Sequence, residues 1–238
     1  MKDRALRLLA FADLLQLLTR AFAQPTPALR EDLAYAPGEL RELLSACGLE
    51  DDAVLERALL ETVRVAHETP LDDWLAEHTR LFDCGVECPI NETAYVRRDK
   101  GQLLGDVAGF YAAFGVRVEP GFGEKVDHLS CELEFCAVLL TLWARALDED
   151  DATHAELCEG ALRAFVRDHT GEWLSAFCLT LAETTRLQLF ANAAPLLEHG
   201  WRSLCDSLAL EARRDRPLRL VPERGTPYEC GLADAGCS

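Results

Sequence analysis

The clearest structural signal in this chain lies in residues 126–139, VDHLSCELEFCAVL. When the segment is read as a helix, five apolar side chains recur at three- and four-residue spacing and share one stripe: Leu129, Leu133, Cys136, Leu140 and Trp143. A stripe of this kind is typical of a helix that packs one face against a core. The segment therefore predicts a core-facing helix from about Val126 to Leu147.

The polar residues of the same segment leave two interpretations open. Asp127 precedes the helix as a candidate N-cap, and His128 and Glu132 stand four residues apart and can pair. In the first interpretation they form a capped helix with a solvated acidic face that includes Glu134. In the second, Asp127, His128 and their neighbours project into a groove and contact a ligand. A histidine beside carboxylates can also act as a general base, so a helical enzyme centred on His128 is a further alternative. The sequence places no nucleophile beside it, and the protein is predicted not to be an enzyme.

Helical periodicity extends over nearly the whole chain, and alternating strand patterns are absent. Proline, glycine and acidic residues punctuate it into eight or nine predicted helices, at about 1–23, 37–48, 51–68, 70–82, 92–114, 126–147, 151–170, 172–190 and 193–213. Apolar residues make up 49% of the chain, which is enough for a substantial core. We therefore predict an all-α, single-domain bundle over residues 1–213, followed by an irregular tail over residues 214–238.

The N-terminal segment starts basic and carries Ala21-Phe22-Ala23, which mimics a signal-peptidase site. Polar residues interrupt its apolar run, however, and its leucines recur at helical spacing, so it is predicted to be an amphipathic first helix of the domain. No run of about 18 uninterrupted apolar residues exists, so we expect no stable membrane insertion.

The charge balance restricts the partners. The chain has 41 acidic and 24 basic residues, a formal net charge of −17. A surface this acidic repels nucleic acid and anionic membranes and attracts a basic partner. Nucleic-acid binding is therefore not expected.

A second informative segment is LFDCGVECPINETAY, residues 81–95, which carries Cys84 and Cys88 in a loop. Together with Cys230 and Cys237 in the tail, they supply four thiolates, the number that a tetrahedral zinc site needs. The spacings are irregular and no CxxC pair is present. A metal- or redox-responsive helical protein that uses these four cysteines is the alternative function. The remaining cysteines fit small buried apolar residues in a reducing cytoplasm.

The helix before this loop carries Trp74, His78, Leu81 and Phe82 along one face. Such a stripe is usually part of a core. Where it is partly exposed, it offers the apolar surface that a bound peptide needs.

Three segments resemble one known family in the right order. The pattern LF…CPINETAY resembles the LF…PPYES.Y loop of the TorD/DmsD/NarJ family of redox-enzyme maturation chaperones, and DHLSCELEFCAVL resembles its DHL..ELEFM..L segment. The third segment, FVRDHTGEWLSAF, has Phe165, His169 and Trp173 four residues apart and resembles the F…H…W junction of that family. The resemblance covers roughly residues 5–210.

The resemblance implies a cytoplasmic all-α chaperone without a cofactor. It would bind the apo catalytic subunit of a molybdenum-cofactor oxidoreductase of the dimethyl-sulfoxide-reductase class, and the twin-arginine signal peptide of that subunit, delaying export until the cofactor is inserted. It implies a monomer or a dimer formed by helix exchange. The implied client-binding residues are His78, Leu81, Phe82, Pro89, Glu92, Tyr95, Asp127, His128, Glu132 and Glu134. Asp127 and Glu134 would pair with client arginines, His128 would bond the client backbone, and Leu81 and Phe82 would pack on its apolar residues.

The sequence departs from the family pattern at three positions. Ile90 stands where a second proline is usual, Asn91 where an aromatic residue is usual, and Cys136 where methionine is common. From this interpretation, we expect the double substitution Asp127→Ala and His128→Ala to weaken client binding and to leave the helical content unchanged.

Overall fold

The computed structural model describes residues 2–33, 35, 37–83, 87–118 and 125–212. These residues contain ten α-helices and no strand. The helices are α1 (Lys2–Arg20), α2 (Pro27–Asp32), α3 (Pro37–Cys47), α4 (Ala53–Glu68), α5 (Leu71–His78), α6 (Lys100–Ala113), α7 (Leu129–Asp148), α8 (Ala152–Asp168), α9 (Thr170–Thr184) and α10 (Gln188–Leu208). The predicted all-α fold class is confirmed.

Local sequence signals account for several helix ends. Side chains of Thr26, Asp52, Asp99 and Asp151 accept hydrogen bonds from backbone N–H groups in the first turns of α2, α4, α6 and α8. After α3, Gly48 adopts a φ of 72°, a left-handed conformation that favours glycine. The predicted end of that helix at Gly48 is confirmed.

One predicted helix is interrupted. Periodicity favoured a continuous helix over about 92–114, but the structure has a short 3₁₀ turn, Glu92–Ala94, and then α6 from Lys100. Asp99 explains the break, because its carboxylate accepts a hydrogen bond from the backbone N–H of Gln102 and starts a new helix there. The short helix α2 was not predicted.

Helix α7 occupies the centre of the bundle. It packs along α1 and α8 and also contacts α9. All five residues of its predicted apolar stripe, from Leu129 to Trp143, are buried, as expected. The first helix belongs to the folded domain, with Leu8, Phe11 and Leu15 in the core. No described helix has the length and apolarity needed to cross a membrane.

Helix α5 continues into a π-helical turn, Thr79–Asp83. The wider turn carries the Leu81-Phe82 pair of the second informative segment. π-Turns are uncommon and often lie at functional sites. Residues 84–86 and 213–238, which include Cys84 and the whole predicted tail, lie outside the described residues.

Candidate functional site

The loop after the π-turn lies against the start of α7. Asn91 and His128 form an isolated antiparallel bridge. On either side of it, the Glu92 N–H donates to the Asp127 carbonyl over 3.0 Å, and the Leu129 N–H donates to the Ile90 carbonyl over 3.0 Å. The two sequence segments that resemble the chaperone family therefore contact each other directly.

The side chain of Asp127 is fully buried at this contact. Its carboxylate accepts hydrogen bonds from the Thr93 backbone N–H (3.0 Å), the Thr93 hydroxyl (2.7 Å) and the Asn91 amide (3.3 Å). Its position predicted that it would cap α7, but the structure shows that it does not. His128 takes that place, because its Nδ1 accepts from the Ser130 backbone N–H over 3.2 Å. Asp127 thus holds the 3₁₀ turn against α7.

Replacement of Asp127 by alanine is expected to destabilise the fold by about 2 kcal/mol, since it leaves partly buried donors of Thr93 and Asn91 without a partner. His128→Ala removes one capping bond and is expected to cost about 1 kcal/mol. Urea unfolding of the two single variants measures both values. Equal, small losses would mean that the carboxylate of Asp127 does not hold the turn. The double alanine variant therefore needs a stability measurement beside any binding assay.

Glu132 joins the third resembling segment to α7. Its Oε2 accepts from the Thr170 hydroxyl and from the Trp173 indole N–H, both over 2.9 Å, and the carboxyl group has no exposed surface. Burial and the neighbouring Glu92 carboxylate raise the pKa of Glu132 well above its usual value. A raised pKa favours the protonated, neutral form of this side chain.

Glu92 contacts the third resembling segment as well, through His169. Its carboxylate accepts from His169 Nδ1 over 3.1 Å, in a pair that is fully buried. The second ring nitrogen of His169 lies 3.4 Å from the half-exposed carboxylate of Asp106 on α6. Glu92, Glu132, His169, Thr170 and Trp173 thus form one buried polar cluster that connects the three segments.

An aromatic cluster lies next to this polar cluster. Phe82 contacts the ring of Phe190 at 5.4 Å and that of Phe177 at 6.3 Å between ring centroids. Tyr95 stacks on Trp173 at 5.4 Å, and its hydroxyl donates to the Pro89 carbonyl over 2.8 Å. Leu81 and Tyr95 are buried, whereas Phe82 and Pro89 are partly exposed.

Sequence reasoning did not identify the clamp that fixes the π-turn. The buried Glu77 carboxylate accepts two hydrogen bonds of 2.8 Å from Arg80 and one of 2.6 Å from the Arg186 backbone N–H. Arg80 also donates to the Thr184 carbonyl over 2.9 Å and to Glu87 over 2.5 Å. The Arg80 pair holds the pKa of Glu77 at about 2. This Glu77–Arg80 clamp ties both ends of the loop to the α9–α10 connection.

The predicted site residues divide into two groups by exposure. Buried ones shape the junction: Leu81, Glu92, Tyr95, Asp127, Glu132 and, with 6% of its surface exposed, His78. Solvent reaches the others: Phe82, Pro89, His128 and Glu134. The structure adds two accessible neighbours that the sequence did not mark, Leu75, which is 38% exposed, and Asp83.

The departures from the family pattern have defined places. Ile90 is buried and accepts the Leu129 bond, and Asn91 makes the bridge to His128 and donates to Asp127. Cys136 is buried, with its sulfur 4.0 Å from the Thr170 hydroxyl. Each residue therefore fills a structural position at the junction.

Of the four cysteines in the metal alternative, Cys84, Cys230 and Cys237 lie outside the described residues. Cys88 is buried, and burial raises the pKa of its thiol to about 12, which disfavours the thiolate that binds metal. No cluster suited to a metal ion occurs among the residues that are described. The other described cysteines are free, and all but Cys131 are buried.

The acid–base alternative rests on His128. Burial lowers the pKa of this imidazole to about 4. Its Nδ1 already accepts the capping bond from Ser130, so that nitrogen is engaged in the fold.

Comparison with known proteins places this chain in a family. The model of the nitrate reductase delta subunit family matches residues 48–179, a range that contains all three resembling segments. The chain belongs to the TorD/DmsD/NarJ family of redox-enzyme maturation chaperones. Chaperone protein TorD of Vibrio cholerae O1 El Tor Inaba N16961 is similar, with 30% identity over 179 residues, 70% of this chain and 78% of the relative.

Two further members of the TorD/DmsD/NarJ family support the assignment. They are the TorD chaperones of the V. cholerae O1 strains Classical Ogawa 395 and M66-2, each 28% identical over 179 residues with the same coverage. No solved structure matches the chain. The named relatives are chaperones, in agreement with the predicted non-enzymatic role.

Proposed function

We propose that this protein is a cytoplasmic chaperone that binds the apo catalytic subunit of a molybdenum-cofactor oxidoreductase of the dimethyl-sulfoxide-reductase class. It also binds the twin-arginine signal peptide of that subunit and holds it back from export until the cofactor is in place. Membership of the TorD/DmsD/NarJ family and the named TorD relatives support the chaperone role. The signal peptide and the client class are the parts that this proposal adds.

The observation that carries the proposal is the partly exposed Phe82 at the edge of the aromatic cluster. It lies in the π-turn next to the half-exposed Asp83, and Leu75 is exposed on the preceding turns of α5. A twin-arginine signal peptide carries two positive charges followed by an apolar run. An apolar ring beside a carboxylate, on a protein of net charge −17, offers both complements.

The two exposure groups then have different roles. Leu75, Phe82, Pro89, His128 and Glu134 contact the client. Among the buried residues, Glu92, Asp127 and Glu132 keep the loop, α7 and α9 in register. The buried carboxylates already accept hydrogen bonds from the protein, and breaking those bonds would oppose pairing with a client arginine.

Calorimetric titration with a synthetic twin-arginine signal peptide, from a molybdoenzyme encoded in the same genome, tests the proposal at two salt concentrations. We expect low-micromolar binding that weakens as salt rises, since charge attraction supplies part of the affinity. Capture of the whole catalytic subunit without peptide binding would restrict the recognition to the enzyme body. Binding to neither would overturn the proposal.

Phe82→Ala is expected to weaken peptide binding about tenfold, because truncation of a partly exposed aromatic anchor removes its contact with the apolar run. Leu157→Ala is the matched control, since Leu157 is 55% exposed on α8, away from the loop. Its affinity should equal that of the wild type. Equal affinities of wild type and both variants would remove Phe82 from the binding surface.

A further inference from the structure

His78 has one satisfied and one unsatisfied ring nitrogen. Its Nε2 lies 3.2 Å from the Phe22 carbonyl oxygen. A carbonyl only accepts, so Nε2 carries the hydrogen, and in the neutral ring Nδ1 presents a lone pair. Nδ1 is buried and has no hydrogen-bond partner among the described residues. Burial lowers the pKa of His78; the Phe22 carbonyl and the Asp83 carboxylate oppose this shift, but the net lowering favours the neutral form.

The carboxylate of Asp83 faces that lone pair. Its Oδ2 lies 3.7 Å from His78 Nδ1, which is beyond hydrogen-bond distance. The Asp83 side chain is 51% exposed, and in the part of the chain that is described no lysine or arginine pairs with it. With His78 in its neutral form, two acceptors therefore face each other, one charged and half exposed, the other neutral and buried.

The chemistry of the missing donor is restricted. Two acceptors at this spacing suit two N–H groups of one planar guanidinium, which is a donor only and keeps its positive charge. The negative charge of Asp83 favours a cation over a neutral amide. His128, just before α7, is close enough for the charges of His78, Asp83 and Asp127 to act on its pKa, and Asp127 is engaged by Thr93 and Asn91.

We infer that Asp83 and His78 form an arginine subsite on the client-binding surface. Asp83 supplies the counter-charge, and His78 Nδ1 accepts a second N–H from the same guanidinium. Phe82 lies between His78 and Asp83 in the chain, and it places an apolar ring beside the subsite. In a twin-arginine signal peptide, an apolar run follows the two arginines. An arginine subsite next to an apolar contact matches this order. This inference rests on the proposed function and names the residues that read the arginine.

A double-mutant cycle with the full chain tests the pairing. Asp83→Asn is expected to weaken binding of the twin-arginine peptide about five- to tenfold, as for a charge-assisted bond at a half-exposed site. The control peptide has both arginines replaced by glutamine. Asp83→Asn should change the affinity for this control peptide less than twofold. Glu156→Gln removes an equal charge from an exposed position on α8 and should leave both affinities within twofold. Equal losses with both peptides would overturn the subsite.

A second measurement does not depend on the signal peptide. Titration with N-acetyl-arginine methylamide is expected to shift the ¹⁵N resonance of His78 Nδ1, because a new donor reaches its lone pair. The shift should be absent in Asp83→Asn. If this shift occurs and the signal peptide does not bind, the subsite stands and the proposed function fails. If the peptide binds but the cycle shows no coupling and the shift is absent, the proposed function stands and the subsite fails.

Discussion

Replacement of Gly171 by alanine is expected to destabilise the protein by about 3 kcal/mol or more. A Cβ atom at this position would lie 2.3 Å from the backbone oxygen of Val166 and 3.0 Å from the Cα of Ala212. Neither neighbour is the end of a flexible side chain. The first turn of α9 would have to separate from the last turn of α8, from which only His169 divides it. Urea unfolding measures the loss.

A second glycine is the matched control. Gly160 lies on the exposed face of α8, and a Cβ atom there would meet no atom within 4 Å. Gly160→Ala is expected to stabilise the protein by roughly 0.5–1 kcal/mol, because alanine is the better helix former. If both substitutions had the same effect, close approach of α8 and α9 would not explain the need for glycine at position 171.

Glu132→Gln is expected to be as stable as the wild type or more so at neutral pH, and Glu132→Ala about 3–5 kcal/mol less stable than Glu132→Gln. Glutamine keeps an acceptor for Thr170 and Trp173 and carries no charge into the core. Alanine removes that acceptor and leaves a cavity next to two buried donors.

The pH dependence distinguishes the protonated form of Glu132 from the ionised form. Its pKa is raised in the folded protein, so the folded state keeps a proton that the unfolded chain releases above about pH 4.3. The contribution of this proton to stability is complete below that pH and is lost as pH rises towards the folded pKa. The advantage of Glu132→Gln over wild type should therefore grow with pH, by up to about 1.4 kcal/mol per unit.

Urea unfolding at several pH values between 5 and 9 measures this difference, in which the other titrating groups cancel. A difference that stays constant would mean that Glu132 is ionised in the folded protein and that the donors Thr170 and Trp173 stabilise its charge. In that case the glutamine variant would be the less stable protein at every pH.

The sequence predicted the helices well because their periodicity and caps are local properties. The buried stripe of α7 and the end of α3 at Gly48 needed no knowledge of distant residues. The break before α6 was missed because the apolar period continues across residues 92–114, while the capping bond of Asp99 competes with it over only a few residues. Periodicity alone cannot weigh one hydrogen bond against a longer helix.

The candidate site was predicted in location but not in exposure. The segment patterns brought Glu92, Asp127 and Glu132 together, and the structure does so too, but as buried acceptors. Their partners, Thr93, Thr170 and His169, lie 34 or more residues away from them along the chain, and no spacing rule pairs residues so far apart. The Glu77–Arg80 clamp and the Asp83–His78 pair depend on a π-turn, for which the sequence carries no simple signal.

The packing of α1 along α7 has a consequence for synthesis of the chain. On the ribosome, α1 is complete at Arg20 and α3 follows soon after it, but α7, with which α1 has its most extensive contact, begins only at Leu129. At elongation rates of roughly 5–20 residues per second, the face of α1 that packs on α7 waits on the order of ten seconds for its partner. Leu8, Phe11 and Leu15 are buried in the folded protein, so during that interval we expect them to attract the general factors that shield new polypeptides.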